Sequence, residues 1–240
     1  CQINGLKKYL SKDFDNLLLV DFACHGQGSP MVFKKWVEKI ESKYKKKLVM
    51  FQFREKKFIK DHLNSNCCKY VFEDGCETVV TRDRYHHAYV NGICMRESCM
   101  NCNFAHSRSS DITLADYKNM KAGLPYADPR KNLSTLIANT PKGVKYIERM
   151  TEFIFYEADS DFINSFNPKL IKGIPGNTDR KAFMNKIRKT QSSVDKLFKL
   201  YAPISLTQYL EYNYSNRLFR RFASLTGFID KICFRINCVR

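Results

Sequence analysis

The chain lacks any apolar run approaching the roughly 18 residues a helix needs to cross a bilayer, so nothing in it reads as a membrane span. Its opening, "CQINGLKKYL", lacks the basic, apolar and small-residue succession of a signal peptide. It also lacks an initiator Met, which reads as a piece of a longer protein. Internal repeats and low-complexity segments are missing too. Acidic residues are scarce, 24 against 41 Lys and Arg, leaving a net charge of +17. Much of that charge lies in "KYKKKLVMFQFREKKFIK" (43–60) and in the stretch after Asn177. Such a surface attracts nucleic acid, anionic lipid or an acidic partner. The lysines are not interleaved with the stacking aromatics of an RNA binder, so solvated lysine-rich helix faces are the plainer reading.

What is present suffices for a folded core. A hydrophobic share of 44%, with 13% aromatic, excludes a mostly disordered chain, and 240 residues make one large domain or two small ones. "NLLLVDFAC" (16–24) reads as a buried strand that delivers Cys24 to the turn "HGQGSP". "SPMVFKKWVEKIESKYKKK" reads as an amphipathic helix with Ser29 and Pro30 at its start. "KLVMFQFREK" alternates as a strand, and "CKYVFEDGCETVVTRD" has the form of a hairpin around Asp74-Gly75. "DRYHHAYVNGICM" reads as a helix running into a turn at Asn91-Gly92. "SDITLADY" and "LSTLIANT" read as strands, "VKYIERMTEF" as a helix, and "FIFYEADSDFINSFNPKL" as a strand with a short helix. The later residues are helical and basic. These elements predict an α/β to α+β fold: a mixed β-sheet flanked by helices, with a basic helical C-terminal tail. The expected division is a domain over 1–190 and a tail over 191–240. In that tail Leu218, Phe219, Phe222, Leu225 and Phe228 recur at helical spacing among arginines, a pattern suited to an anionic lipid surface or to docking on protein.

Ten cysteines are many for a chain without an export signal, and inside a cell they point to metal or redox chemistry. Cys99 and Cys102 form C-x2-C, a spacing that directs two thiolates at one ion or cluster. Cys1 and Cys24, each at the end of an apolar segment, are candidates to complete the set. Four thiolates suit tetrahedral zinc or an iron–sulfur cluster equally well by ligand count. Two singletons far apart in sequence need a folded scaffold to meet the close pair, which argues against a small autonomous zinc module. Cys94 is a spare candidate, and His25, His86, His87 and His106 are alternative zinc ligands.

Several segments, taken in order, resemble the coenzyme F420 hydrogenase/dehydrogenase beta-subunit family. "CQINGLKKYL" is similar to the end of its "GTPCQ-x-x-GL" segment, and "CHGQGSP" to its "CHG-x-x-SP". "FQFREK" resembles its "fRdK" strand, and "RESCMNCNFAHSRSSDITLAD" its "R-x-S-C-x-x-C-x-f … R-x-sDit-x-gD" signature. "LSTLIANTPKG", "FNPKL" and "RKAF" follow in the family's order. Where the family continues "gDfWg", this chain has "ADYKNM", with Ala115 in place of the glycine.

The resemblance implies a 4Fe–4S cluster held by Cys1, Cys24, Cys99 and Cys102, with a flavin, FAD, passing electrons between it and a hydride-donating coenzyme, F420-like or nicotinamide. His25 and Gly26 then lie beside the cluster or flavin. Arg54, Lys56 and Arg108 are candidate anchors for the flavin's pyrophosphate or ribityl side. Asp111 and Asp116 are candidates to orient the flavin or the cysteine loop. The implied partner is an upstream ferredoxin-like region or electron-transfer subunit. The implied setting is cytoplasmic, in the service of surface-glycan biosynthesis; the tail, which lies beyond the resemblance, is a candidate for peripheral contact with the inner face of the membrane. Two alternatives remain: a zinc-stabilised basic module for nucleic acid, and a non-catalytic scaffold at the membrane surface.

Overall fold

The computed structural model describes residues 1–55, 67–80, 83–117, 123–124, 133–174, 176–189 and 193–205. The fold is mixed α/β. The chain forms two compact units, each built from two separate stretches: Cys1–Gln27 with Glu97–Pro175, and Gly28–Arg96 with Gly176–Arg240. Elements are numbered along the chain.

In the first unit, strands β1 (Val20–Phe22), β5 (Ile112–Asp116) and β6 (Ser134–Ala138) form a sheet in the order β1-β5-β6. β1 runs parallel to β5, with Asp21 opposite Thr113, and β6 runs antiparallel to it, with Thr113 opposite Ile137. The expected buried strand is therefore shorter and more exposed than its apolar run suggests. It is an edge strand of three residues, and Phe22 is 63% exposed. Helix α1 (Gln2–Leu10), a stretch the hydrophobic pattern leaves unassigned, begins directly after Cys1 and buries none of its residues.

Asp111 ties this unit together. Its carboxylate accepts from the Leu19 amide at 2.9 Å and from Thr140 Oγ1 at 2.6 Å. Thr140 is also the N-cap of helix α5 (Pro141–Glu148), accepting from the Gly143 amide at 3.1 Å. Burial opposes ionisation of Asp111, but these donors, with Lys142 and Lys7, outweigh it and hold its carboxyl below the usual range. Gly143 lets α5 dock on β5, since a Cβ there would stand 2.2 Å from the Asp111 carbonyl oxygen. Helix α6 (Ser160–Phe166) is capped by Asp159. The strand expected in "FIFY" does not form. Phe153 and Phe155 are solvent-exposed and lie against each other at 6.4 Å, with no strand beside them among the described residues.

The second unit holds an aromatic core. Helix α2 (Pro30–Tyr44) has Pro30 in its first turn and buries Val32, Trp36 and Ile40. Strands β2 (Leu48–Phe53), β3 (Cys68–Phe72) and β4 (Glu77–Val80) form an antiparallel sheet in that order. The β3–β4 hairpin turns at Gly75, whose φ of 78° only glycine adopts without strain. The expected single mixed sheet is thus two separate sheets among the described residues, of which the first alone is mixed. Helix α3 (Arg84–Val90) is capped by Asp83, which accepts from His86 N at 2.7 Å, from Trp36 Nε1 at 2.9 Å and from the Tyr70 hydroxyl. Helices α7 (Arg180–Lys189) and α8 (Val194–Tyr201) close the core, where Phe183 stacks on Phe198 at 5.7 Å. No helix of the described residues is long and apolar enough to cross a membrane. The amphipathic pattern after residue 205 lies outside the described residues.

Candidate functional site

A cleft of about 160 Å³ in the first unit is lined by Cys1, Cys24, Cys99 and Cys102 together. Each thiol arrives on a different device. Cys1 is the N-cap residue of α1, at the positive end of that helix's dipole. Cys24 follows β1 directly, its chain direction fixed by the Ala23 amide donating to the Leu114 carbonyl at 2.8 Å. Cys99 lies within the short helix α4 (Glu97–Met100), and Cys102 follows in the turn after it.

Backbone amides already face two of the sulfurs. The Gly26 amide donates to Cys24 Sγ at 3.2 Å, and the Gln27 amide donates to Cys99 Sγ at 3.3 Å. Gly26 has φ 92°, a conformation that side chains rarely adopt, so glycine at this position is what turns the amide back onto the sulfur. All four thiols are free, Cys1 and Cys24 exposed and the other two half-buried. The walls are apolar at Ile3, Val20 and Phe104, and charged at Asp21, Arg108 and Lys169.

Of the remaining residues singled out in the sequence, Gly26 and Arg108 line the cleft. His25 is half-buried between Cys24 and Gly26. Arg108 forms an ion pair with Asp21 at 3.1 Å and donates to the carbonyls of Lys169 at 3.3 Å and Leu170 at 3.4 Å. Both Asp111 oxygens are engaged, one by Leu19 and the other by Thr140. Asp116 is exposed at the end of β5, and its carbonyl accepts from Asn167 at 3.3 Å. Arg54 belongs to the second unit, just past β2, with φ 55°. Lys56 lies outside the described residues. Cys94, the spare ligand candidate, is fully buried in the second unit's core, where burial pushes its thiol up to about 12.

Cleft residues that were not anticipated include Asp21, Lys169 and Gly173. A carboxylate inside the apolar run "LLLVDF" was a usable signal, because a charge in a strand requires a partner. Gly173 offered none. It lies against the cysteine loop, where an added Cβ would stand in van der Waals contact, 3.4 Å, with the Cys102 amide and the Cys99 and Met100 carbonyls.

Among the described residues, no group of three or more His, Cys, Asp or Glu side chains converges on a point suited to a single metal ion. Tetrahedral zinc, with bonds of about 2.3 Å to sulfur, needs such convergence. Four thiols line one cleft, and backbone amides face two of them, Cys24 and Cys99; by ligand count such a set suits a polynuclear cluster as well. At about 160 Å³ the cleft is smaller than the roughly 300 Å³ at which small-molecule pockets begin.

A unit organised around a four-thiol cleft is the first description the geometry supports. The second is kinship: the chain belongs to the family defined by the C terminus of the coenzyme F420 hydrogenase/dehydrogenase beta subunit. That family's pattern matches residues 1–160 and so includes all four thiols. No curated protein and no solved structure matches the chain.

Proposed function

We propose that this chain is the C-terminal portion of an iron–sulfur flavoprotein oxidoreductase of the beta-subunit type, in which Cys1, Cys24, Cys99 and Cys102 hold a 4Fe–4S cluster. The observation that carries the reading is the gathering of these four thiols on one cleft. A bound cluster of this kind supplies one-electron storage and transfer. The chain's own residues supply the surroundings. The amides of Gly26 and Gln27 offset negative charge on the sulfurs they face. Val20, Ile3 and Phe104 give the cleft an apolar wall beside the thiols. His25, next to a ligand, is suited to donate a hydrogen bond to a sulfur or to the flavin.

The flavin belongs outside the thiol cleft, on surfaces to which Arg54, Lys56, Asp111 and Asp116 remain the candidate contributors. Its role is to join a hydride donor, F420-like or nicotinamide, to a one-electron carrier. The partner is an upstream ferredoxin-like region or electron-transfer subunit, and the basic tail suits a cytoplasmic position against the membrane face. Service to surface-glycan biosynthesis is part of the same reading.

Anaerobic reconstitution with iron and sulfide tests the core of it. The expected result is broad absorbance near about 400 nm with four irons per chain, a stoichiometry set by the cluster type. Zinc uptake without iron, or no metal uptake at all, would overturn the assignment.

A further inference from the structure

Arg108 and Asp21 form their ion pair in the wall of the thiol cleft, and the Arg108 side chain is only 11% exposed. Each member is held by groups that do not belong to the other. The second Asp21 oxygen accepts from Thr113 Oγ1 at 2.5 Å, and Thr113 Oγ1 accepts in turn from Asn139 Nδ2 at 2.8 Å. The second terminal nitrogen of Arg108 donates to the Lys169 and Leu170 carbonyls. Removing one charge therefore leaves the other in position beside the cleft. A guanidinium engaged in this way is poorly placed to clamp a pyrophosphate, but its fixed charge acts on anything the thiols hold.

We infer that Arg108 and Asp21 are opposed tuning charges that set the reduction potential of the group bound by the four cysteines. The inference rests on the iron–sulfur reading. Reduction adds one electron and makes the bound group more negative. A nearby cation favours that form and a nearby carboxylate disfavours it. Arg108→Gln leaves the Asp21 carboxylate unopposed and lowers the potential. Asp21→Asn leaves the guanidinium unopposed and raises it. A merely structural role behaves differently, since loosening the same wall from either side admits water alike and moves both variants in one direction.

The test is a potentiometric titration of the reconstituted full chain, followed by the electron paramagnetic resonance of the reduced form. Arg108→Gln and Asp21→Asn are expected to shift the reduction equilibrium about tenfold in opposite directions, about 59 mV each for a one-electron couple. The double variant returns close to wild type, and Arg108→Lys, which keeps the charge, stays near it. Should Arg108→Gln fail to take up iron, Asp21→Asn decides alone, and a potential at or below wild type overturns the inference. Shifts of the same sign overturn it as well. If the wild-type chain loads a cluster and the potentials do not separate, only this inference falls. If the wild-type chain loads none, the proposed function falls with it.

Discussion

Apart from the exposed Cys76 of the second unit, the described cysteines do opposite work in the two units. In the second, Cys67, Cys68 and Cys94 are buried, and Cys68 and Cys94 sit in the aromatic core as small apolar groups. In the first, Cys1, Cys24, Cys99 and Cys102 stay exposed or half-exposed around a cleft, and two of them receive backbone hydrogen bonds. The same contrast extends to the packing. The second unit closes Phe183, Phe198 and Trp36 into dense aromatic contact. The first is tied largely by polar groups, Asp111 and Thr140 on one side and Asp21, Arg108 and Thr113 on the other. One unit is built as a stable core, and the other keeps its sulfurs accessible.

The sharpest way to break that comparison is at the core. Phe198→Ala removes a fully buried ring that touches both Phe183 and Trp36. It is expected to cost about 3–5 kcal/mol in urea denaturation. Gly143→Ala is the first unit's counterpart, and the forced displacement at the Asp111 carbonyl is expected to cost about 3 kcal/mol. A loss below about 1 kcal/mol would mean that α5 can slide away from β5 freely.

Paired cysteine variants sharpen the contrast directly. Cys94→Ser places a hydroxyl in an apolar core and should cost about 1–3 kcal/mol while leaving iron uptake intact. Cys99→Ser should change the stability of the metal-free chain by no more than about 0.5 kcal/mol while reducing iron uptake. If the two exchanged phenotypes, the assignment of cysteines to core and cleft would be reversed.

A further expected effect is confined to alkaline pH. The native Cys94 thiol, pushed up to about 12 by burial, keeps its proton where the unfolded thiol, near 9.0, has lost it. The folded state then binds more protons, so this contribution is fully present below pH 9 and is lost as pH rises toward 12. Burial of Cys68, Tyr70 and Tyr85 acts in the same direction. Denaturation midpoints across this window should fall with pH, and less steeply in Cys94→Ala. An equal slope in that variant would remove Cys94 from the account.

Local structure was largely legible in the sequence. Asp74-Gly75 marked the hairpin, Ser29-Pro30 the start of α2, and the alternation in "KLVMFQFREK" marked β2, because each signal depends only on neighbours. The four thiols that meet in the cleft were also named, two from their spacing and two from their places at segment ends. What could not be read was anything decided by distant partners. "LLLVDF" has the composition of a buried strand, yet it lies at a sheet edge. "FIFY" has strand composition and finds no strand to pair with among the described residues. The Arg108–Asp21 pair joins residues 87 positions apart, which no local pattern encodes.

The placement of β1 bears on how the chain emerges from the ribosome. Asp21 waits for Thr113, 92 residues later, before its strand has a neighbour. At about 5–20 residues per second, that interval is roughly 5–20 s. Throughout it Val20 and Phe22 have no sheet partner, and the brevity of β1, three residues, limits what another chain could pair with.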